Sequence, residues 1–269
     1  MSDSRPIGIF DSGMGGLTVV KEMLRLLPAE QLVYFGDTAR VPYGPKSVDT
    51  IIRFSIENIL FLLKHRVKMV VIACNTASSV ALATVEDSFR VPIIGVIEPG
   101  VKEALRRTKS NRVGVIGTRT TVKSNTYARL LKEMRPGVTV AAQSCPLFVP
   151  LVEEGWLRHP LTRAIAAEYL SPLKSAKVDT LILGCTHYPL LRPVIQQVMG
   201  PRVCLIDSAR QVAQQTKELL QHHGMSAASL PRNASAVRFF VSDEPDNFAA
   251  VGRRFLGFPL NNVRKTTYV

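Results

Sequence analysis

The chain has 269 residues, 46% of them hydrophobic, and 34 Lys and Arg against 21 Asp and Glu give it a formal charge of +13. A chain this long can bury a sizeable core without covalent staples, and no apolar run nears the roughly 20 residues that span a bilayer. Four cysteines (Cys74, Cys145, Cys185, Cys204) form no C-x-x-C pair, which argues against a zinc module and a secreted disulfide framework.

The N-terminus, MSDSRPIGIF, lacks the basic-then-apolar pattern of a secretory leader. The expectation is an untargeted soluble protein with free thiols in a reducing cytoplasm. The positive surface concentrates anionic partners, small or polymeric. Its Lys and Arg are dispersed through helical stretches such as VKEALRRTKS and YARLLKEMR, without a basic arm or interleaved aromatics. A solvated helix face is therefore favoured, and binding to DNA or a DNA-handling enzyme is kept as a minor partner reading.

In chain order, nine short apolar runs alternate with segments of helical period: IGIF (7–10), LVYF (32–35), MVVIA (69–73), PIIGV (92–96), VGVIG (113–117), VTVAA (138–142), TLILG (180–184), VCLI (203–206) and VRFFV (237–241). Between the first two, Leu17, Val20, Leu24 and Leu27 repeat at helical spacing until Pro28 stops the helix. Ile52, Ile56, Ile59, Leu60 and Leu63 predict the buried face of the next helix. Such alternation defines an α/β fold of parallel sheets covered on both faces. Nine strands point to two sheets. VVIACNTAS and LILGCTHYP nearly repeat each other, and IGIFDSG is echoed by VGVIGTRTT. Two similar α/β lobes are expected, divided near VIEPG (96–100).

In open parallel sheets ligands sit at the carboxyl ends of the strands. Five polar turns fall there: FDSGMGG (10–16), GDTARVPYGPKS (36–47), CNTASS (74–79), GTRTT (117–121) and CTHYP (185–189). Each can offer hydroxyls or N–H groups suited to a carboxylate or phosphate. The glycines fit neither a dinucleotide fingerprint nor a P-loop, and a tight turn accounts for them; Asp11 could merely cap the following helix. Cys145 and Cys204 lack polar company and read as small buried hydrophobes. Cys74 and Cys185 each precede Thr at a probable helix N-terminus, an environment that lowers a thiol pKa. A Cys-x5-Arg phosphatase loop is absent, because Arg192 lies too far from Cys185 and the first copy has no Arg before Arg90. His187 is the only one of five histidines in a candidate turn; without a companion at ligand spacing it does not make a metal site. Two matched cysteines facing one cleft suit inversion of a carbon acid, where one thiolate removes the α-proton and the other thiol returns a proton to the opposite face. Turnover at 1 to 10³ per second demands a barrier of roughly 13 to 17 kcal/mol, so hydroxyls and amides must support the developing carbanion.

These residues resemble the glutamate racemase family, cofactor-independent enzymes that supply D-glutamate for peptidoglycan. FDSGMGGLT, YFGDTARVPYG, ACNTAS, GTRTT, PLFVPLVEEG and LGCTHYPLL occur in the family's order across nearly the whole chain. The resemblance implies two flavodoxin-like, doubly wound parallel-sheet lobes of pseudo-twofold similarity with the active site between them. The first lobe, 1–97 plus 209–269, would be discontinuous, and the second would cover 98–208. It implies Cys74 as the acid/base on D-glutamate and Cys185 on L-glutamate, assisted by Asp11 and His187. Ser12, Tyr43, Gly44, Asn75, Thr76, Thr118, Thr121 and Thr186 match substrate-holding positions, and Glu153 matches a further polar residue nearby. No cofactor or metal is implied, and a homodimer is expected. Met14 stands where smaller aliphatics are common, and no long activator-associated N-terminal extension is seen. Aspartate or another small carbon acid stays open as the substrate.

Overall fold

The computed structural model describes residues 2–228 and 236–267, so part of the expected returning segment 209–269 lies outside the described residues. Its strands are β1 (Ile7–Asp11), β2 (Leu32–Gly36), β3 (Met69–Ile72), β4 (Ile93–Gly95), β5 (Arg112–Gly117), β6 (Thr139–Ser144), β7 (Thr180–Gly184), β8 (Cys204–Asp207), β9 (Val237–Val241) and β10 (Arg264–Lys265). They form two sheets, β10-β9-β2-β1-β3-β4 and β6-β5-β7-β8, and every pairing is parallel.

The order β2-β1-β3-β4 in the first sheet is repeated as β6-β5-β7-β8 in the second. This is the flavodoxin-like winding, in which the chain reverses direction across the sheet between its first and third strands. The repeat makes β3 equivalent to β7, so the expected sequence echo corresponds to a structural one. β9 and β10 follow the second sheet in the chain and return to the first. Helix Ser208–His222 leaves β8 and packs against helices Leu17–Leu26 and Ile97–Arg107, which provides the return path.

Strands β1, β2 and β7 are buried along their whole length, because helices cover both faces of each sheet. That is why their sequences are continuous apolar runs rather than alternating ones. Among the described residues ten strands are observed against nine expected. The additional β10 is two exposed charged residues paired with Phe240 and Val241, too short and polar to stand out as a strand.

Helix Val48–Lys64 corrects the predicted face. Its buried residues are Ile51, Phe54, Ser55, Asn58, Ile59, Phe61 and Leu62, whereas Leu60 is exposed and Ile52, Ile56 and Leu63 are half-buried. This helix is apolar on two sides, and the side that packs carries polar residues with internal partners. Ser55 Oγ donates to the Ile51 carbonyl and Asn58 Nδ2 to Tyr43 Oη. Hydrogen bonding removes the cost of burying them, and each fully buried Ile or Leu then contributes about 1.5–3 kcal/mol. Among the described residues no helix is long and apolar enough to cross a membrane.

Candidate active site

The carboxyl ends of the two sheets bound a cleft of about 400 Å³. Apart from Asp11 and Thr121, every site residue expected from the sequence lines it.

The first wall is built by the ends of β1 and β3. Asp11 closes β1 wholly buried, its Oδ2 accepting from Gly13 N at 3.0 Å and its Oδ1 from Thr186 Oγ1 at 3.5 Å. Burial pushes its carboxyl up, opposed by His187. After β3, Cys74 caps helix Asn75–Val80: its sulfur accepts from Ala77 N and donates to Ser12 Oγ, both at 3.5 Å. The helix N-terminus is where the sequence puts it, yet the thiol is not lowered. Burial, with Asp11 adding to it, pushes Cys74 up to about 12. The cost of a thiolate in an enclosed site beside a carboxylate exceeds the gain from one backbone donor.

Tyr43 and Gly44 enter on the loop after β2. The Tyr43 hydroxyl donates to the Asp37 carboxylate and accepts from Asn58, so it is occupied away from the cleft, and Tyr43 can serve a ligand only through its ring and main chain. The Gly44 carbonyl accepts from Thr120 Oγ1 at 2.7 Å and from Thr120 N, tying this loop to the other lobe. Thr118 caps helix Arg119–Lys123 and joins Thr76 and Thr121 in a cluster of hydroxyls at 2.9 to 3.3 Å. Thr121 stands behind the lining as the third member of this cluster. Asn75 Oδ1 accepts from Tyr127 Oη at 2.6 Å across the lobes.

The second wall follows β7. Cys185 Sγ lies 3.9 Å from His187 Nδ1, and His187 Nε2 lies 2.9 Å from Glu153 Oε1. Burial alone would lower the imidazole, but the Cys185 sulfur and the Glu153 carboxylate outweigh it and raise His187 to about 10. The ring is therefore an imidazolium at neutral pH, pressed between a thiol and a carboxylate. Glu153, expected only as a polar residue near the substrate, has His187 as its direct partner.

Cys145 is fully buried and Cys204 half-buried in β8, and neither lines the cleft. Val41, Pro42, Pro45, Pro146, Val149 and Pro150 do line it and went unpredicted, because apolar residues carry no chemical signature. Arg119 was also missed, although it lies inside the GTRTT turn. Among the described residues, no group of three or more His, Cys, Asp or Glu side chains is placed to hold a metal ion.

One cysteine stands at the same strand end of each lobe, and both open on one cleft; the two flavodoxin-like lobes around it are those of an amino-acid racemase. Residues 7–216 match the model of the Asp/Glu/Hydantoin racemase family, and the chain belongs to that family. The glutamate racemase of Syntrophus aciditrophicus is 49% identical over 97% of this chain and 96% of its own length. Among solved structures, glutamate racemase isoform RacE1 from Bacillus anthracis superposes with a TM-score of 0.92 at 38% identity, covering 97% of both chains. The Francisella tularensis enzyme in complex with D-glutamate gives 0.90 at 38% identity over 98% of both.

Proposed function

We propose that this chain interconverts L- and D-glutamate by transferring the α-proton between two cysteines. The observation that carries the reading is the shared cleft, with Cys74 supplied by β3 of one sheet and Cys185 by β7 of the other. Full-length similarity to glutamate racemases, one of them in complex with D-glutamate, supports the substrate.

With L-glutamate bound, Cys185 as thiolate takes the α-proton, and its S–H bond forms as the Cα–H bond breaks. The electron pair left on Cα is delocalised into the α-carboxylate, and the Cys74 S–H then delivers its proton to the opposite face. D-glutamate leaves with Cys74 as thiolate and Cys185 as thiol. The reverse reaction starts from that state. Burial keeps Cys74 protonated in the resting site, which suits it to be the acid in the L-to-D direction, while the His187 ring stands 3.9 Å from the Cys185 sulfur. Asp11 stands beside Cys74, where its charge opposes the thiolate and holds the proton on that sulfur. Hydroxyls of Ser12, Thr76, Thr118 and Thr186, the Asn75 amide and the main chain of Tyr43 and Gly44 hold the carboxylates and the amino group, and Thr121 orients Thr76 and Thr118. No cofactor enters the scheme.

The reading extends to lobes at 1–97 plus 209–269 and 98–208, supported by sheet membership, to a cytoplasmic homodimer supplying D-glutamate for peptidoglycan, and, on the charge of +13, to secondary association with anionic polymers. Sedimentation tests the dimer; DNA binding that weakens steeply with salt tests the last.

The decisive experiment incubates L-glutamate with the protein in D₂O and follows optical rotation and deuterium at Cα. Loss of rotation with solvent label is expected, and the absence of both sinks the reaction. Cys74→Ala and Cys185→Ala should each abolish racemisation; full activity in either removes the two-thiol scheme. Aspartate, one methylene shorter, is the competing substrate, and a hydrophobic methylene accounts for only about 1–3 kcal/mol of selectivity, so kcat/KM must be measured for both.

A further inference from the structure

Helix Pro245–Leu256 packs on helix Leu17–Leu26 and on β9, in the layer over the first sheet. Two consecutive residues near its end reach across to the second wall of the cleft. The buried Phe255 ring stands edge-on to the His187 imidazole, with centroids 5.2 Å apart at 87°. Arg254 Nη1 donates to the Glu153 carbonyl, at the C-terminal end of helix Phe148–Glu153. The guanidinium lies close over the next turn at Gly155: a Cβ there would sit 3.0 Å from Arg254 Cζ and crowd it by a few tenths of an ångström, and the φ of +78° also favours glycine.

We infer that Arg254 and Phe255 are positioning residues for the proton carrier on the Cys185 side, Arg254 fixing the helix end that presents the Glu153 carboxylate and Phe255 fixing the ring that this carboxylate holds. The charged and titratable groups facing His187 are Glu153 at Nε2, Cys185 at Nδ1 and the buried Asp11, which reaches Nδ1 through Thr186 Oγ1. Glu153 is half-exposed, so its 2.9 Å contact with the imidazole competes with water and depends on where its backbone is held. Arg254 supplies that anchorage from the opposite lobe. Phe255 covers an edge of the ring that water would otherwise reach. Proton transfer depends on sub-ångström placement of such groups, so an element outside the cleft lining sets the competence of one wall.

The test uses full-length protein labelled with ¹⁵N-histidine, its His187 Nε2–H signal assigned by disappearance in His187→Asn. In the unaltered protein this proton exchanges slowly with water. Arg254→Met, at an exposed position, and Phe255→Leu, which keeps most of the volume, should each accelerate exchange at least tenfold. Each should also lower kcat three- to tenfold with KM for glutamate within twofold, and Arg254→Lys should recover most of the loss. Unchanged exchange in variants with an unchanged Tm overturns the inference, as does faster exchange without loss of kcat. Only the turnover arm rests on the glutamate racemase reading. If the unaltered protein does not racemise glutamate, that reading fails while the exchange result still judges the positioning.

Discussion

Replacing Gly15 by alanine probes the closest approach between the two walls. A Cβ built there lies 2.1 Å from Thr186 Oγ1 and 2.5 and 2.6 Å from Nδ1 and Cε1 of His187. Gly15 is absent from the positive-φ glycines, so alanine meets no backbone strain and the effect is steric alone. To restore ordinary contact, Thr186 and His187 must retreat by about 1 Å or the lobes must part by as much, and a 1 Å misplacement near the reacting groups costs on the order of 10²-fold in rate. Overpacking of this kind costs about 1–3 kcal/mol of stability, partly offset by the 0.4–1 kcal/mol or so that Gly→Ala contributes by restricting the unfolded chain. The expected outcome is a folded protein with a modestly lowered Tm and kcat reduced about a hundredfold, measured by circular dichroism of L-glutamate conversion. Activity within threefold of the unaltered enzyme at unchanged Tm would refute the claim that this glycine sets the spacing between Asp11 and His187.

Buried Lys68 is held by Glu30 at 2.6 Å and by the carbonyls of Asp3 and Met225, both at 2.7 Å, so Glu30→Gln, which leaves its charge unpaired, should cost about 3–5 kcal/mol in urea unfolding; a loss below 1 kcal/mol contradicts this. Arg119 is the only Lys or Arg lining the cleft among the described residues, and Arg119→Gln should raise KM for glutamate three- to tenfold and flatten the salt dependence of kcat/KM, whereas a KM within twofold would remove Arg119 from substrate capture. With Cys74 near 12, its thiolate fraction at pH 8 is about 10⁻⁴, so iodoacetamide followed by peptide mass spectrometry should leave Cys74 largely unlabelled in the folded protein; labelling as fast as in the urea-unfolded chain would show that burial does not raise this thiol. His187 is raised from 6.5 to about 10 on folding, so its protonated form stabilises the fold, fully below pH 6.5 and less as pH rises through 10. In His187→Asn this alkaline loss of Tm should disappear, and parallel Tm curves would show that the imidazolium is not stabilised.

The sequence already revealed the two sheets, because strands buried on both faces must be continuous apolar runs. It also revealed the polar turns, because those runs end in Asp, Cys or Thr next to helix starts. What it hid has physical causes. The buried face of helix Val48–Lys64 was misread because Ser55 and Asn58 look solvent-facing until Tyr43 and a helix carbonyl satisfy them. Tyr43 could be placed at the cleft from its motif, but the commitment of its hydroxyl to Asp37 is a tertiary contact with no local signal. The helix N-terminus above Cys74 predicted a lowered thiol, whereas burial depth and the neighbouring Asp11, both set by lobe packing, push it the other way. Arg254 and Phe255 lie about seventy residues beyond His187 and reach it only because the chain returns to the first sheet.

The two lobes repeat one winding, but their cysteines do not stand in equivalent electrostatic surroundings. Cys74 has a hydroxyl, one backbone amide and a buried carboxylate, a set that favours the neutral thiol. Cys185 has the His187 ring beside it, pinned in turn by the Glu153 carboxylate. In the proposed two-thiol scheme this difference suits Cys74 to be the acid toward L-glutamate. That scheme ends with the two roles exchanged, so under it each wall must also tolerate the other's charge state. Asp11, bonded through Thr186 to the His187 side while raising Cys74, is the one group placed to couple the two.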